Sequence, residues 1–160
     1  MYDLEPLRKR ASELIDFDHL NLGSIRLTVC TTDIITGEMV FFDTSKGDRI
    51  TIDHLLASCG FVPDFSPVEI GGRMLGDGGL SANAPFEAIA QEQIKQDLTC
   101  FVLDLFSRDG AMPATLEQSL ARKNDLIFAN QTWVQLRSCQ RQHALLAAVS
   151  PASVNASNLY

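Results

Sequence analysis

Apolar residues recur at helical spacing in the first segment, where Leu4, Leu7, Ala11, Leu14 and Ile15 share one side and Arg8, Lys9 and Arg10 the other. The pattern predicts a helix over Glu5–Ile15 with the basic triplet on a solvated face. From Ile25 the period changes to two: Ile25, Leu27 and Val29 alternate with Arg26, Thr28 and Cys30, as in a strand. A turn at Thr36–Gly37 and a second strand at Met39–Phe42 complete a predicted hairpin. Thr51 is a plausible N-cap, Asp53 complements the helix dipole, and Ile52, Leu55, Leu56 and Cys59 form the buried face of a short helix stopped by Gly60. Pro63 and Pro67 fix an extended loop, Val68–Ile70 suits a brief strand, and Gly71–Gly72 a turn. After Pro85, a good first helical residue, Phe86 to Ile94 reads as helix. Leu98–Phe106 is a nearly continuous apolar run, the pattern of a strand covered on both faces. Ser107 to Pro113 is a loop. Ala114 to Val149 is helix-forming, with a break expected near Asn130, and Ser150–Tyr160, opened by Pro151, is expected to fray. Strands mixed with helices imply an α/β layer structure.

Composition adds mainly exclusions. A net charge of −7 over 160 residues disfavours nucleic acid, which needs a basic face, and disfavours purely electrostatic attachment to an anionic membrane. Apolar contact with lipid stays open. The N-terminal stretch has mixed charges and no continuous apolar run, and no segment reaches the roughly 20 apolar residues of a membrane span. Cys30, Cys59, Cys100 and Cys139 are widely spaced, with apolar runs before Cys30 and after Cys100, so buried, reduced thiols are expected rather than disulfides or a zinc site. No metal or other cofactor is expected, and the cytoplasm, with peripheral membrane contact, is the default location. His19, His54 and His143 read as surface or helix-cap residues, Asp104 as a strand end, and Phe128 and Trp133 as helix packing.

The chemistry concentrates at Gly76-Asp77-Gly78-Gly79. Glycines on both sides permit a sharp turn and leave one carboxylate free of neighbouring side chains. A general base needs such access, because it must come within about 3 Å of the proton it removes. The ordered set around it is Thr31-Thr32-Asp33, Thr36-Gly37-Glu38, Phe41-Phe42-Asp43, Ile52 to Ser58, Pro63-Asp64-Phe65, Val68-Glu69-Ile70, Asp77-Gly78-Gly79-Leu80 and Asn83-Ala84-Pro85-Phe86. In order and spacing it resembles the second half of the patatin-like phospholipase domain. Val102 to Ser107, Pro113 and Arg122 to Ile127 resemble a bacterial branch of that family. The likeness covers about Leu4 to Thr132.

That resemblance implies a part of a three-layer α/β/α domain with a central, partly parallel sheet, here over residues 1–132, followed by a helical extension and frayed tail over 133–160. It implies a serine–aspartate dyad without histidine. A serine in a Gly-x-Ser-x-Gly elbow attacks the ester carbonyl, a glycine-rich loop supplies the oxyanion hole, and the Asp-Gly-Gly aspartate is the proton acceptor. By the motif Asp77 is that acceptor, Gly76, Gly78 and Gly79 form its turn, and Asn83 and Pro85 shape the chain beyond it. The 160 residues contain no Gly-x-Ser-x-Gly. Gly79-Leu80-Ser81-Ala82-Asn83 ends in asparagine, and Ser58 reads as a packed helix-end serine. The chain is therefore expected to carry the base without its nucleophile and to be inert alone. Its expected partners are a lipid ester at a membrane surface, a separate N-terminal fragment, or a second copy through an uncovered edge. A non-catalytic lipid- or protein-binding remnant is the alternative.

Overall fold

The computed structural model describes residues 1–90 and 99–155. The chain divides into two compact units, Met1–Ala88 and Ile89–Tyr160. In the first, helices α1 (Glu5–Leu14) and α2 (Phe17–Leu20) precede strands β1 (Thr28–Asp33) and β2 (Met39–Asp43). Helix α3 (Ile52–Cys59) follows, then strands β3 (Val68–Ile70) and β4 (Arg73–Asp77), and the short helix α4 (Glu87–Ala90) spans the division. The strands form one sheet in the order β2-β1-β4-β3, and every pairing is antiparallel. The expected parallel component appears only as an isolated bridge between Tyr2 and Phe65 among the described residues. Short turns join β1 to β2 and β3 to β4, and a tight turn can join only antiparallel neighbours.

Local chemistry explains most of these elements. Asp33 closes β1, its Oδ1 accepting the N–H groups of Ile35 and Thr36 at 2.9 and 3.1 Å, and Gly37 takes the positive φ that returns the chain into β2. Gly71 and Gly72, at φ +60° and +78°, form the two-residue hairpin turn that sets Ile70 opposite Arg73. Helix α3 starts and stops where the sequence predicts. Its cap is reciprocal: His54 Nδ1 accepts the Thr51 N–H at 3.0 Å and meets the Thr51 hydroxyl at 2.9 Å. His54 is thus the expected cap histidine, buried with its ring edge-on to Phe42. Ile50, Leu56, Ala57, Val29 and Leu75 are the core of this unit. Burial lowers the pKa of His54 and keeps its ring neutral.

Several expectations are corrected. The first strand begins at Thr28, not Ile25, and Ile25 is exposed. Two partners fix this register, because β2 pairs along Thr28–Thr32 and β4 pairs with Thr31–Asp33. No residue of α1 is buried, and Arg8 is not merely solvated: it reaches Asp53 of α3 at 2.6 Å. The four cysteines are free thiols, but none is fully buried, and Cys59 and Cys100 are exposed. Cys59 lies at the end of α3, and Cys100 lies in an unpaired segment where its apolar neighbours do not bring burial.

Asp43 holds the β1–β2 end of the sheet. It is 1% exposed and accepts hydrogen bonds from the Arg26 guanidinium, Thr28 Oγ1 (3.0 Å), and the N–H and hydroxyl of Ser45 (2.8 and 2.7 Å). These donors, Arg26 first, hold its carboxyl far below the usual range. Its stabilising contribution is therefore present above the ordinary carboxylate pKa and lost as pH falls through the depressed value. Asp43→Ala should cost about 3 kcal/mol, because it strands several donors at once. A urea melt at neutral pH that left the midpoint unchanged would refute this role.

In the second unit, helix α5 (Leu116–Asn155) runs without the break expected near Asn130. Phe128, Ala129 and Thr132 are buried on either side of that residue, and packing across the position outweighs asparagine's modest helix propensity. Phe106 stacks on Phe128 with ring centroids 4.7 Å apart, and the Arg122 guanidinium binds the carbonyls of Ser107 (2.8 Å) and Arg108. The helix continues through Pro151, which removes one amide from the ladder without ending it. Residues 99–106 form no strand, contrary to the apolar pattern. Phe101, Leu103 and Leu105 are 90, 90 and 88% exposed. A strand exists only through a ladder, and this unit contains no strand among its described residues. Leu98 and the predicted helical residues 91–94 lie outside the described residues.

Candidate functional site

Strand β4 has no strand signature in its sequence, yet it delivers the candidate base. It lies between β1 and β3 and ends at Asp77, opposite Thr31. Three anchors fix the backbone there. The Asp77 N–H donates to the Gly60 carbonyl at the end of α3 (3.0 Å), and the N–H groups of Ser81 and Ala82 donate to the Gly78 carbonyl at 3.0 and 2.8 Å. Residues Gly78–Leu80 form a 3-10 turn, capped by Asp77 itself: its Oδ1 accepts the Gly79 N–H at 2.7 Å.

The glycines serve space rather than handedness. None of Gly76, Gly78 and Gly79 has a positive φ. A Cβ on Gly76 would stand 2.8 Å from Ile34 Cδ1 and 3.2 Å from the Gly60 carbonyl oxygen. On Gly78 it would stand 2.6 Å from the Cys30 carbonyl oxygen, and on Gly79 3.0 Å from Asp77 Oδ1. The loop therefore lies flat on β1 because it has no side chains there. Asn83 Oδ1 reaches within 3.8 Å of the same point above Gly79, so the chain brings Asp77, Gly79 and Asn83 together. Pro85 is half-buried just ahead of α4, its carbonyl accepting the Ala88 N–H at 3.1 Å. Asp104 stands in the unpaired segment of the other unit, accepting the Phe106 N–H.

Electrostatically, Asp77 is half-buried, and no Lys or Arg pairs with it among the described residues. Burial raises its pKa, and the Gly79 N–H only partly offsets the rise. Such a carboxylate is a better proton acceptor than a solvated one. Two thiols feel its charge. Cys30 is pushed up to about 11 by burial, then by Asp77 and Glu87, and Cys59 is raised by partial burial of its thiol, opposed by a Ser58 hydrogen bond, with Asp77 adding to the rise. Both stay protonated at neutral pH, so neither is a thiolate nucleophile. Ser81 Oγ is hydrogen-bonded to Thr32 Oγ1 at 2.9 Å, and neither it nor Ser58 bonds to Asp77. Thr32, Ser81 and Cys30 thus belong to the site's surroundings, and no motif announces them.

Among the described residues no His, Cys, Asp and Glu side chains group to hold a metal ion, and no helix is long and apolar enough to cross a membrane. A shallow groove of about 600 Å³ on α5, lined by residues such as Leu126, Ile127 and Val134, contains none of the site residues. A family model described as patatin-like phospholipase matches residues 1–90 of the chain. No curated protein matches it.

Proposed function

The chain belongs to the patatin-like phospholipase family, and from that premise we propose that it is the base-bearing portion of a serine acyl hydrolase acting on lipid esters. The observation that supports this reading best is the state of Asp77: a half-buried carboxylate without a cationic partner among the described residues, on a glycine turn at a strand end, with its pKa raised by burial. The serine of the dyad comes from residues outside these 160. Its Oγ attacks the ester carbonyl while Asp77 takes the hydroxyl proton. The tetrahedral intermediate collapses, and Asp77 returns the proton to the departing alcohol oxygen. Water then attacks the acyl-serine, with Asp77 accepting its proton and passing it to the serine Oγ as the fatty acid leaves. Gly76, Gly78 and Gly79 hold the turn, and Asn83 and Pro85 shape the chain beyond it. The catalytic portion is assigned to residues 1–132, with 133–160 as a helical extension, working in the cytoplasm at a membrane's periphery.

Intact-mass analysis after fluorophosphonate labelling tests this account. The 160-residue chain alone should gain no adduct, since nucleophile and oxyanion-hole losses each remove orders of magnitude in rate. Supplying a polypeptide with the family's Gly-x-Ser-x-Gly segment should produce one adduct, on that polypeptide, dependent on Asp77. A single adduct on the chain alone, lost in Asp77→Ala, would show that one of its own serines is activated. A non-catalytic lipid-binding role is the second reading, favoured by the exposed Phe101, Leu103 and Leu105. Under it, vesicle binding would survive Asp77→Ala and depend on those three residues.

A further inference from the structure

We propose that Thr32 is a positioning residue for the Asp77 carboxylate, acting through Ser81 and the 3-10 turn between them. The inference rests on the reading of Asp77 as the base. Thr32 lies on β1, paired with Gly76 of β4, and its side chain is buried. Its Oγ1 meets Ser81 Oγ at 2.9 Å across 49 residues of sequence. Ser81 closes the turn by donating its N–H to the Gly78 carbonyl at 3.0 Å. Inside that turn the Gly79 N–H donates to Asp77 Oδ1 at 2.7 Å. The other end of the turn is fixed, because Gly78 rests on the Cys30 carbonyl with no room for a Cβ. The Thr32–Ser81 contact is a side-chain bond that ties the far end of the turn to the sheet. Without it the turn keeps its backbone bonds to the Gly78 carbonyl but loses this tie to β1, and the Gly79 N–H is held less tightly on the carboxylate.

A threonine hydroxyl in a strand is commonly satisfied by a nearby backbone carbonyl, as Thr31 Oγ1 is by that of Val40 at 3.3 Å. Thr32 instead meets a hydroxyl on the segment that carries the candidate base. Three titratable groups adjoin the carboxylate or its neighbour: Cys30 on β1, Cys59 on α3, and Glu87, whose charge acts on Cys30. Both thiols stay protonated at neutral pH, so Gly79 is the charge-stabilising donor that Thr32 controls.

Amide hydrogen exchange on the purified chain tests this without any nucleophile. In Thr32→Val, which keeps the shape and strand propensity, the Gly79 amide should exchange about fivefold faster, the loss of one ordinary hydrogen bond. The Asp33 amide, bonded to the Glu38 carbonyl on the same strand, should be unaffected. Thr32→Ser should restore the wild-type rate, and Ser81→Ala, at a half-buried position, should reproduce the Thr32→Val effect. The carboxyl pKa of Asp77, followed by carbon NMR, should move up in Thr32→Val and Ser81→Ala but not in Thr32→Ser. An unchanged Gly79 rate, or equal acceleration at Gly79 and Asp33, would overturn the proposal. If Thr32→Val does not fold, Ser81→Ala decides by the same two readouts. The base assignment fails separately, through hydrolysis that persists in Asp77→Asn, whatever the exchange rates show.

Discussion

Replacing Gly78 by alanine is expected to destabilise the chain by on the order of 3 kcal/mol, enough to unfold a marginal domain. The added Cβ would lie 2.6 Å from the carbonyl oxygen of Cys30, 2.8 Å from its carbonyl carbon and 2.9 Å from its sulfur. Two of these atoms are backbone in the middle of β1, which is hydrogen-bonded to β2 on one side and β4 on the other. Neither can withdraw without breaking a ladder. Gly72→Ala is the contrasting case. It has open space around it but a φ of +78°, so it should lose only about 1 kcal/mol, the strain of a left-handed residue. Gly79→Ala should fall between the two in stability, because its new methyl meets the movable Asp77 carboxylate at 3.0 Å. Thermal melts of the three variants give the ranking, and a Gly78→Ala protein as stable as Gly72→Ala would show that the loop does not rest on β1.

The same crowding shows which parts of the site can be read from sequence. Asp77 and its glycines are contiguous, so a linear motif exposes them. The role of the glycines is less legible: the sequence suggests turn-making freedom, while the fold uses their lack of side chains to bring the loop onto Cys30. Thr32 and Ser81 carry no motif, because what joins them is the pairing of β1 with β4. The sequence hides that pairing, since Arg-Met-Leu-Gly-Asp has a charge at each end and a glycine inside, and only neighbours on both edges make it a strand.

Elements with local signals are readable. Thr51 and Gly60 bracket α3, and Thr36–Gly37 marks the first hairpin, because caps and turns are set by a few adjacent residues. Elements that depend on distant partners mislead in both directions. Strand β4 has the composition of a turn and is paired on both edges. Residues 99–105 have the composition of a buried strand and are unpaired and exposed. Apolar sequence states what a segment can bury, and the ladder decides whether it does.

Asp77→Asn should separate stability from function in one residue. The folded-state pKa of Asp77 is raised by burial, so the ionised side chain is penalised in the folded chain relative to the unfolded one. The penalty is fully present above the raised value and vanishes below the ordinary aspartate value. The wild-type chain should therefore gain stability as pH falls from neutral through that window, apart from the opposite loss from Asp43 at lower pH. Asparagine keeps an oxygen for the Gly79 N–H and carries no charge, so Asp77→Asn should melt higher than wild type at pH 7 and lose that gain on acidification. Under the proposed function, hydrolysis by the chain assembled with a serine-bearing partner should fall by about 10³-fold or more, because an amide cannot accept the serine proton. A variant both more stable and inactive is what a buried base held against its own solvation preference predicts. A less stable variant would mean that the Gly79 N–H and its surroundings favour the charged carboxylate over the neutral amide, against the burial argument. A more stable, fully active one would remove Asp77 from the chemistry.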